Sequence, residues 1–248
     1  MKKYAYFTMT CNDLFVPGAI AVVKSLKITK TKHPVYCMVS DEVSLENREK
    51  LVSLGCNVVE VPKIHSTTSG EDGDRFEIGR NWLTFTKLNV FNFLEFDKIV
   101  YLDADCMVLK NIDDMFEFDT LSGYLLQHTD ELEAGVLVLE PNAKHFEDLM
   151  LYKDKENWKN HDQTLIDWYF TKKIEEFHDM PNEYHFCQKV YHNTDANLLF
   201  RQEAKIVEFN GYKPWMLDKW RIEEEAVFRL FDEILIKLWM RIYHYEFK

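Results

Sequence analysis

The chain has 248 residues, of which 46% are hydrophobic and 29% are charged, and glycine and proline are few. This composition is that of a globular protein and excludes collagen-like or disordered chains. The formal net charge of −12 argues against nucleic-acid binding, because phosphate recognition needs clustered surplus lysine and arginine. A divalent cation suits this charge better.

The N-terminus and the cysteines indicate the cellular compartment. The segment MKKYAYFTMT turns polar and lacks the apolar core of a signal peptide. No run approaches the roughly 18 apolar residues of a transmembrane helix. The five cysteines are scattered without a C-x-x-C pair, which favours reduced, buried thiols over disulfides or a zinc site. We therefore expect a soluble, cytoplasmic protein.

Strands and helices alternate over the first sixty residues. KYAYFTMT and HPVYCMVS predict strands, and VPGAIAVVKSLKIT between them has apolar residues near helical spacing. SLENREKLVSLG predicts a second helix closed by Gly55, and NVVEV predicts a third strand. This order is typical of a doubly wound α/β sheet, which binds ligands at the carboxyl ends of its strands.

The remaining segments continue the α/β pattern. The polar stretch 65–79 predicts a long functional loop, and TFTKLNVFNFLEF predicts a helix after it. SGYLLQ, AGVLVLEP and AKIVEF predict strands, and KHFEDLMLY and DQTLIDWYF predict helices. The C-terminal helix, 223–245, carries an apolar stripe that we expect to pack on the domain rather than on a membrane or a partner. No domain boundary is evident, so we take 1–248 as a single domain.

The segment FDKIVYLDADCMVL, residues 96–109, places two carboxylates within an apolar strand. In an extended chain, residues two apart face the same side, so Asp103 and Asp105 would project together while Ala104 faces away. Two ionised carboxylates so close repel each other, and a hard cation such as Mn²⁺ or Mg²⁺ would relieve the repulsion and carry a nucleotide diphosphate. The alternative is that both aspartates cap the following turn. These residues alone leave both interpretations open.

Six segments in order resemble glycosyltransferase family 8, the glycogenin-like retaining sugar transferases. They are FTMTCNDLFVPGAIAVVKSL, TFTKLNVF, YLDADCMVLKNIDDMF, EAGVLVLEP, NHDQTL and VEFNGYKPW. The resemblance implies a single-domain GT-A (Rossmann-like) fold with a mostly parallel central sheet flanked by helices. It implies a nucleotide-binding part at about 1–125 and an acceptor side at about 126–220.

The resemblance also implies roles for individual residues. Asp162 and Gln163 would lie beside the transferred sugar, and Lys213 would stabilise the departing diphosphate, which makes these three the catalytic candidates. Asp103, Asp105 and Glu208 would bind Mn²⁺ or Mg²⁺. The residues implied to bind the UDP-sugar are Met9, Thr10, Cys11, Asn12, Phe15, Lys87, Asp103, Ala104, Asp105, Glu133, Ala134, Gly135, Gly211 and Lys213. Arg80 is a further candidate, because guanidinium can bind phosphate in bidentate fashion.

Two positions depart from the family's pattern. Glu208 replaces the family's histidine ligand, and it can bind the cation through oxygen in a more negative site. Glu133 replaces an asparagine, so a carboxylate takes the place of an amide that would contact the donor. The donor sugar therefore need not be glucose.

The sequence thus predicts a metal-dependent retaining glycosyltransferase that moves a hexose from a UDP-sugar to a hydroxyl of a glycan or protein acceptor. We favour front-face attack, because a double displacement would need Asp162 as nucleophile. Three alternatives stay open: a nucleotide-sugar binding protein with weakened catalysis, a nucleotidyltransferase, and a glycogenin-like initiator that glycosylates its own Tyr184 or Tyr191. We expect these two tyrosines to have a structural role at the surface rather than an acceptor role. The sequence does not determine the oligomeric state and leaves a homodimer open.

Overall fold

The computed structural model describes residues 2–66, 83–126, 129–156, 158, 161–187, 203–210, 213–219 and 230–247. Arg80, Tyr191, Gly211 and most of the predicted loop 65–79 lie outside these residues.

Strands and helices alternate in the described part of the chain as far as the fourth strand. The strands are β1 (Tyr4–Thr10), β2 (Val35–Val39), β3 (Asn57–Glu60), β4 (Lys98–Leu102), β5 (Cys106–Val108), β6 (Ser122–Leu125), β7 (Leu132–Leu139), β8 (His178–Asp179), β9 (Phe186–Cys187) and β10 (Ile206–Glu208). The α-helices are α1 (Val16–Ile28), α2 (Leu45–Ser53), α3 (Ala143–Tyr152), α4 (His161–Asp167) and α5 (Leu230–Tyr243). Shorter 3-10 helices include Asp13–Phe15, Thr84–Asn92 and Pro214–Lys219.

Among the described residues, the central sheet has the strand order β3-β2-β1-β4-β7-β6-β8. Strands β3, β2, β1 and β4 are parallel, whereas β7 runs antiparallel to β4 and β6. The expected mostly parallel sheet is confirmed. Because Phe7 of β1 pairs with Tyr101 of β4, the chain leaves both strands at the same edge. A smaller sheet with the order β5-β10-β9 lies beyond the end of β4.

Alternate residues of the central strands pack on opposite faces of the sheet. On one face, Tyr6 and Val100 pack in a core that includes α1. On the other face, Phe7 and Tyr101 pack against the 3-10 helix Thr84–Asn92 and against α3 and α4. This period of two is what a sheet covered on both faces requires.

The apolar stripe of the C-terminal helix packs on the small sheet. Leu235 and Trp239 of α5 are buried with Met107 of β5 and Val207 of β10. The described part of the helix packs on the domain as expected, but its buried face only partly coincides with the predicted stripe, because Ile234 is exposed and Leu235 and Trp239 are buried instead. Within the described ranges, no helix is both long and apolar enough to cross a lipid bilayer.

Two details differ from the sequence-based expectations, and a third lies outside the described residues. The predicted helix TFTKLNVFNFLEF forms a 3-10 helix, in which the Asn89 side chain bonds the carbonyls of Pro62 and Thr86, a polar competition that disfavours regular α-helix. The two aspartates lie in a turn after β4, not in an extended strand, and the N–H of Cys106 closes the turn on the carbonyl of Asp103 at 2.9 Å. Helix α5 is described from Leu230 onward, so its predicted start at 223 lies outside the described residues.

The packing of Gly18 in α1 against this turn yields a test of the fold. A Cβ at Gly18 would lie 2.3 Å from the carbonyl oxygen of Ala104 and 2.7 Å from Cη2 of Trp215. We expect Gly18→Ala to lower the free energy of unfolding by about 1–3 kcal/mol through overpacking, measured by chemical denaturation. Val52→Ala, at an exposed site on α2, is the control and should change it by at most about 0.5 kcal/mol. Equal effects of the two substitutions would show that the close approach does not exist.

Candidate active site

A cavity of about 250 Å³ lies where β1 and β4 end. Its wall combines the segment after β1, the turn after β4, and Lys213 beyond β10. The predicted donor-binding residues that line it are Met9, Thr10, Cys11, Asn12, Phe15, Asp103, Ala104, Asp105 and Lys213. Leu83 and Thr84 also line it. Neither was among the predicted donor-binding residues. Thr84 opens the family-like segment TFTKLNVF, which could have identified it, whereas Leu83 precedes that segment.

The segment after β1 is held in place by its own polar groups. Asn12 caps the 3-10 helix Asp13–Phe15 by accepting the N–H of Leu14 at 3.1 Å, and the hydroxyl of Thr10 donates to the carbonyl of Asn12 at 2.8 Å. The ring of Phe15 meets Trp215 edge-on with the ring centroids 6.0 Å apart. Phe15 is therefore an aromatic part of the cavity wall. Burial raises the pKa of the Cys11 thiol to about 11, so the thiol is neutral at pH 7.

Three carboxylates meet beside the cavity, and two of them, Asp103 and Asp105, line it. Asp103 and Asp105 come from the turn, and Glu208 comes from β10, where it pairs with Cys106 of β5. One oxygen of each carboxylate lies within 4.8 Å of the others. A Cβ at Gly135 would lie 2.6 Å from Oε1 of Glu208, so Glu208 reaches this position only beside a glycine. This all-oxygen donor set fits a hard divalent cation such as Mn²⁺ or Mg²⁺.

A buried lysine joins two of the predicted site aspartates. The ammonium of Lys87 lies 2.9 Å from Oδ2 of Asp103, 2.9 Å from Oδ2 of Asp162 and 3.0 Å from the carbonyl of Ala134. Burial opposes its charge, but the two carboxylates prevail and raise the pKa of Lys87 above its ordinary value. Because an ammonium has three N–H donors and all three are used here, Lys87 holds the two aspartates in position. Its contact with the donor stays a prediction.

The carboxylate of Asp103 has a strongly shifted pKa. Burial is the largest cause and Lys87 opposes it, and with the carboxylates of Asp105, Asp162 and Glu208 the net result is a pKa of about 7. Without a cation, the site therefore holds more negative charge than its lysines balance.

Two neighbouring side chains orient the carboxylates, and sequence reasoning missed both. The hydroxyl of Tyr101 donates to Oδ1 of Asp103 at 2.7 Å. Tyr101 stands two residues before Asp103, and that spacing could have identified it. Nε2 of His185 lies 2.7 Å from Oε2 of Glu208. No spacing signal links His185 to Glu208, because they belong to different segments of the chain.

Glu208 stays ionised although it is buried. Burial raises its pKa, but the hydrogen bond from His185 and the positive charges nearby outweigh burial and lower the pKa to about 2. Lys213 is likewise buried, and its ammonium contacts the carboxylate of Asp105 and the carbonyl of Phe209. Lys213 also lines the cavity, so it is the described lysine that a bound anion would meet.

The remaining predicted residues that the structure describes do not line the cavity. Glu133 is half-buried on β7, where burial and the charge of Glu208 raise its pKa to about 7. Gln163 follows Asp162 in the first turn of α4. Tyr184 is buried and its hydroxyl donates to Asp114 at 2.7 Å, so the expectation of a surface tyrosine is wrong at this position.

Comparisons with known proteins agree with this geometry. A sequence profile for Glycosyl transferase family 8 matches residues 7–145, more than half of the chain. Inositol phosphorylceramide glucuronosyltransferase 1 of Arabidopsis thaliana is 31% identical over 170 residues, 68% of this chain and 30% of that protein. Glycogenin-1 of Mus musculus is 30% identical over 227 residues, 87% of this chain and 66% of that protein. The chain thus spans about a third to two thirds of the length of these curated relatives.

The galactosyltransferase LgtC, solved in complex with donor and acceptor sugar analogues, is similar in fold. Its TM-score is 0.64 at 14% identity, with 96% of this chain and 95% of that chain covered. The GT-A fold expected from the sequence is confirmed. The residues of this chain that match the profile, 7–145, include β1 from Phe7 onward, Lys87 and both aspartates of the turn. The chain belongs to glycosyl transferase family 8.

Proposed function

We propose that this protein is a metal-dependent retaining glycosyltransferase that moves a hexose from a UDP-sugar to a hydroxyl acceptor. The observation that carries the proposal is a cavity lined by the aromatic ring of Phe15, by two carboxylates and by Lys213. Glu208 lies close enough to these carboxylates, Asp103 and Asp105, to share a cation with them. Family membership supports the same activity.

The cavity matches the parts of a nucleoside diphosphate. The ring of Phe15 stacks on uracil, and Met9, Cys11 and Asn12 surround the uridine and its ribose. Asp103, Asp105 and Glu208 hold the cation, which when bound neutralises charge on the diphosphate. Lys213 donates to the leaving phosphate from the same wall. The diphosphate contacts of Gly211 and Arg80 stay predictions.

The state of Asp162 favours front-face attack over double displacement. Its carboxylate is buried and paired with Lys87, whose positive charge makes it a weak nucleophile. A double displacement would need a free carboxylate under the anomeric carbon. We therefore assign Asp162 and Gln163 to hydrogen bonds with the sugar hydroxyls, and we assign proton acceptance to the departing phosphate.

The acceptor is a separate hydroxyl, of a glycan or of a protein. Tyr184 is buried with its hydroxyl bonded to Asp114, so it is not presented to a donor. Self-glycosylation would require Tyr191 or another residue. The added carboxylates of Glu133 and Glu208 favour one alternative, a nucleotide-sugar binding protein with weakened catalysis. A cytoplasmic location and a homodimer stay predictions from the sequence.

UDP binding tests the donor site directly. We expect UDP to bind tightly only when Mn²⁺ is present, because the cation screens the carboxylates from the diphosphate. The double variant Asp103→Asn, Asp105→Asn should weaken binding by more than about tenfold, a loss of about 1.4 kcal/mol. Isothermal titration calorimetry with and without Mn²⁺ measures both. UDP binding that is equally tight without metal would refute the proposed donor site.

A second prediction concerns the aromatic wall. Phe15→Ala should weaken UDP binding by about 1–3 kcal/mol, the range measured for the stacking of a base on an aromatic side chain. Phe15→Tyr keeps the ring and is the matched control, expected to bind UDP nearly as well as the wild-type chain. Calorimetric titration in the presence of Mn²⁺ measures the difference. If the alanine variant binds UDP normally, uracil does not stack on Phe15.

A third prediction separates catalysis from binding. Lys213→Ala should lower kcat for UDP-sugar transfer or hydrolysis by about 10²–10³-fold, since it removes one group that stabilises the leaving diphosphate. Lys144→Ala, an exposed lysine on α3, should leave kcat unchanged. Release of UDP from a panel of UDP-sugars measures both. A wild-type chain that binds UDP with Mn²⁺ yet turns over no donor would favour the binding-protein alternative.

A further inference from the structure

A second cluster of metal-binding side chains lies beside the carboxylates of the donor site. It consists of His185, Cys187 and Glu208, one ligand atom of each lying within 4.8 Å of the others. His185 and Cys187 are fully buried, and Glu208 is 6% exposed. This cluster plays no part in the function proposed above, apart from Glu208.

Strand pairing builds the cluster. His185 lies just before β9 and Cys187 is the second residue of β9, and in an extended chain residues two apart project to the same side. The parallel pairing of β9 with β10 sets Cys187 beside Glu208. The ligands thus come from neighbouring strands, where a strand pair holds them at fixed separation.

The chemistry of this ligand set differs from that of the donor site. Imidazole, thiolate and carboxylate together suit Zn²⁺, whereas three carboxylates suit Mn²⁺ or Mg²⁺. Sγ of Cys187 lies 3.5 Å from Oε2 of Glu208, close to the roughly 3.6 Å between sulfur and oxygen ligands in a tetrahedral zinc site. Nε2 of His185, at 2.7 Å from the same oxygen, would move outward by roughly 0.7 Å.

The ring of His185 is fully buried beside Glu208. Among the described residues, its Nε2 contacts Glu208 and its Nδ1 has no hydrogen-bond partner. The unpartnered Nδ1 costs stability whether or not an ion is bound. Nε2 faces Glu208, so it is the ring nitrogen that the cluster offers to a cation.

We propose that His185, Cys187 and Glu208 bind Zn²⁺, and that Glu208 bridges this ion to the cation held by Asp103 and Asp105. On binding, the thiol of Cys187 releases its proton to solvent and its sulfur bonds the metal. The proton that Nε2 of His185 donates to Glu208 leaves by way of solvent, so the neutral ring carries its N–H at Nδ1 and the Nε2 lone pair bonds the metal. No oxidation or reduction takes place. The site would fix Glu208 and the small sheet, and its existence does not depend on transferase activity.

Cobalt substitution tests this site with a readout that transferase activity does not influence. Metal-free protein is titrated with Co²⁺, whose bond to a thiolate gives a charge-transfer absorption in the near ultraviolet. We expect the band in the wild-type chain and in Cys37→Ser, a matched control at a buried thiol on β2. We expect Cys187→Ser to lose the band and, by competition with a chromophoric chelator, to bind Zn²⁺ more than about tenfold more weakly.

Further variants assign the ion to its site. The double variant Asp103→Asn, Asp105→Asn should keep the cobalt band, since the thiolate ligand is intact. Cys106→Ser, at the buried thiol of β5, should also keep it. If Cys187→Ser does not fold, His185→Gln and the Zn²⁺-induced rise in Tm of the wild-type chain decide instead. A wild-type chain with no cobalt band and no rise in Tm, or a band that survives in Cys187→Ser, overturns the proposal. Failure of UDP to bind would instead overturn the donor site.

Discussion

Repulsion among carboxylates gathered at one end of the central sheet is the constraint on which the rest of the site depends. Burial strengthens this repulsion because it removes screening water. Two buried ammonium groups offset part of this repulsion. Lys87 lies between Asp103 and Asp162, and Lys213 lies beside Asp105. The two lysines do not fully balance the negative charge. Burial, together with the neighbouring carboxylates, raises the pKa of Asp103. A divalent cation bound here would balance the remaining negative charge and would attract a diphosphate.

Close backbone approach is the second requirement of the site. Gly18 lets α1 touch the carbonyl of Ala104, and Gly135 lets β10 bring Glu208 beside the two aspartates. Both glycines act through the missing Cβ, because the neighbouring atoms would lie well inside van der Waals distance of one. The packing of the core and the assembly of the carboxylates therefore both depend on these close approaches.

The imidazole beside this site belongs to His185, just before β9, whereas the family resemblance implies a histidine at position 208. Glu208 stands at the position of the family's histidine ligand, and His185 before the neighbouring strand contacts it. Position 208 thus offers a carboxylate oxygen in place of a ring nitrogen, and the ring of His185 contacts that carboxylate. It also brings a thiol, Cys187, next to the same carboxylate. An oxygen-rich site and a mixed nitrogen and sulfur cluster thus share one side chain.

The sequence by itself determined the α/β class and the alternation of the first strands and helices, because these depend on local periodicity. The resemblance of short contiguous motifs to the family implied most of the residues that line the cavity. Phe15, Asp103, Asp105 and Lys213 each belong to such a motif, and all line one cavity. Only the tertiary structure decided the partners of Lys87, which its sequence neighbours do not indicate. It alone placed His185 and Cys187 against Glu208, since the pairing of β9 with β10 joins segments separated along the chain. Contacts of this kind arise from strand register and side-chain packing between distant segments, and no local pattern of residues encodes them.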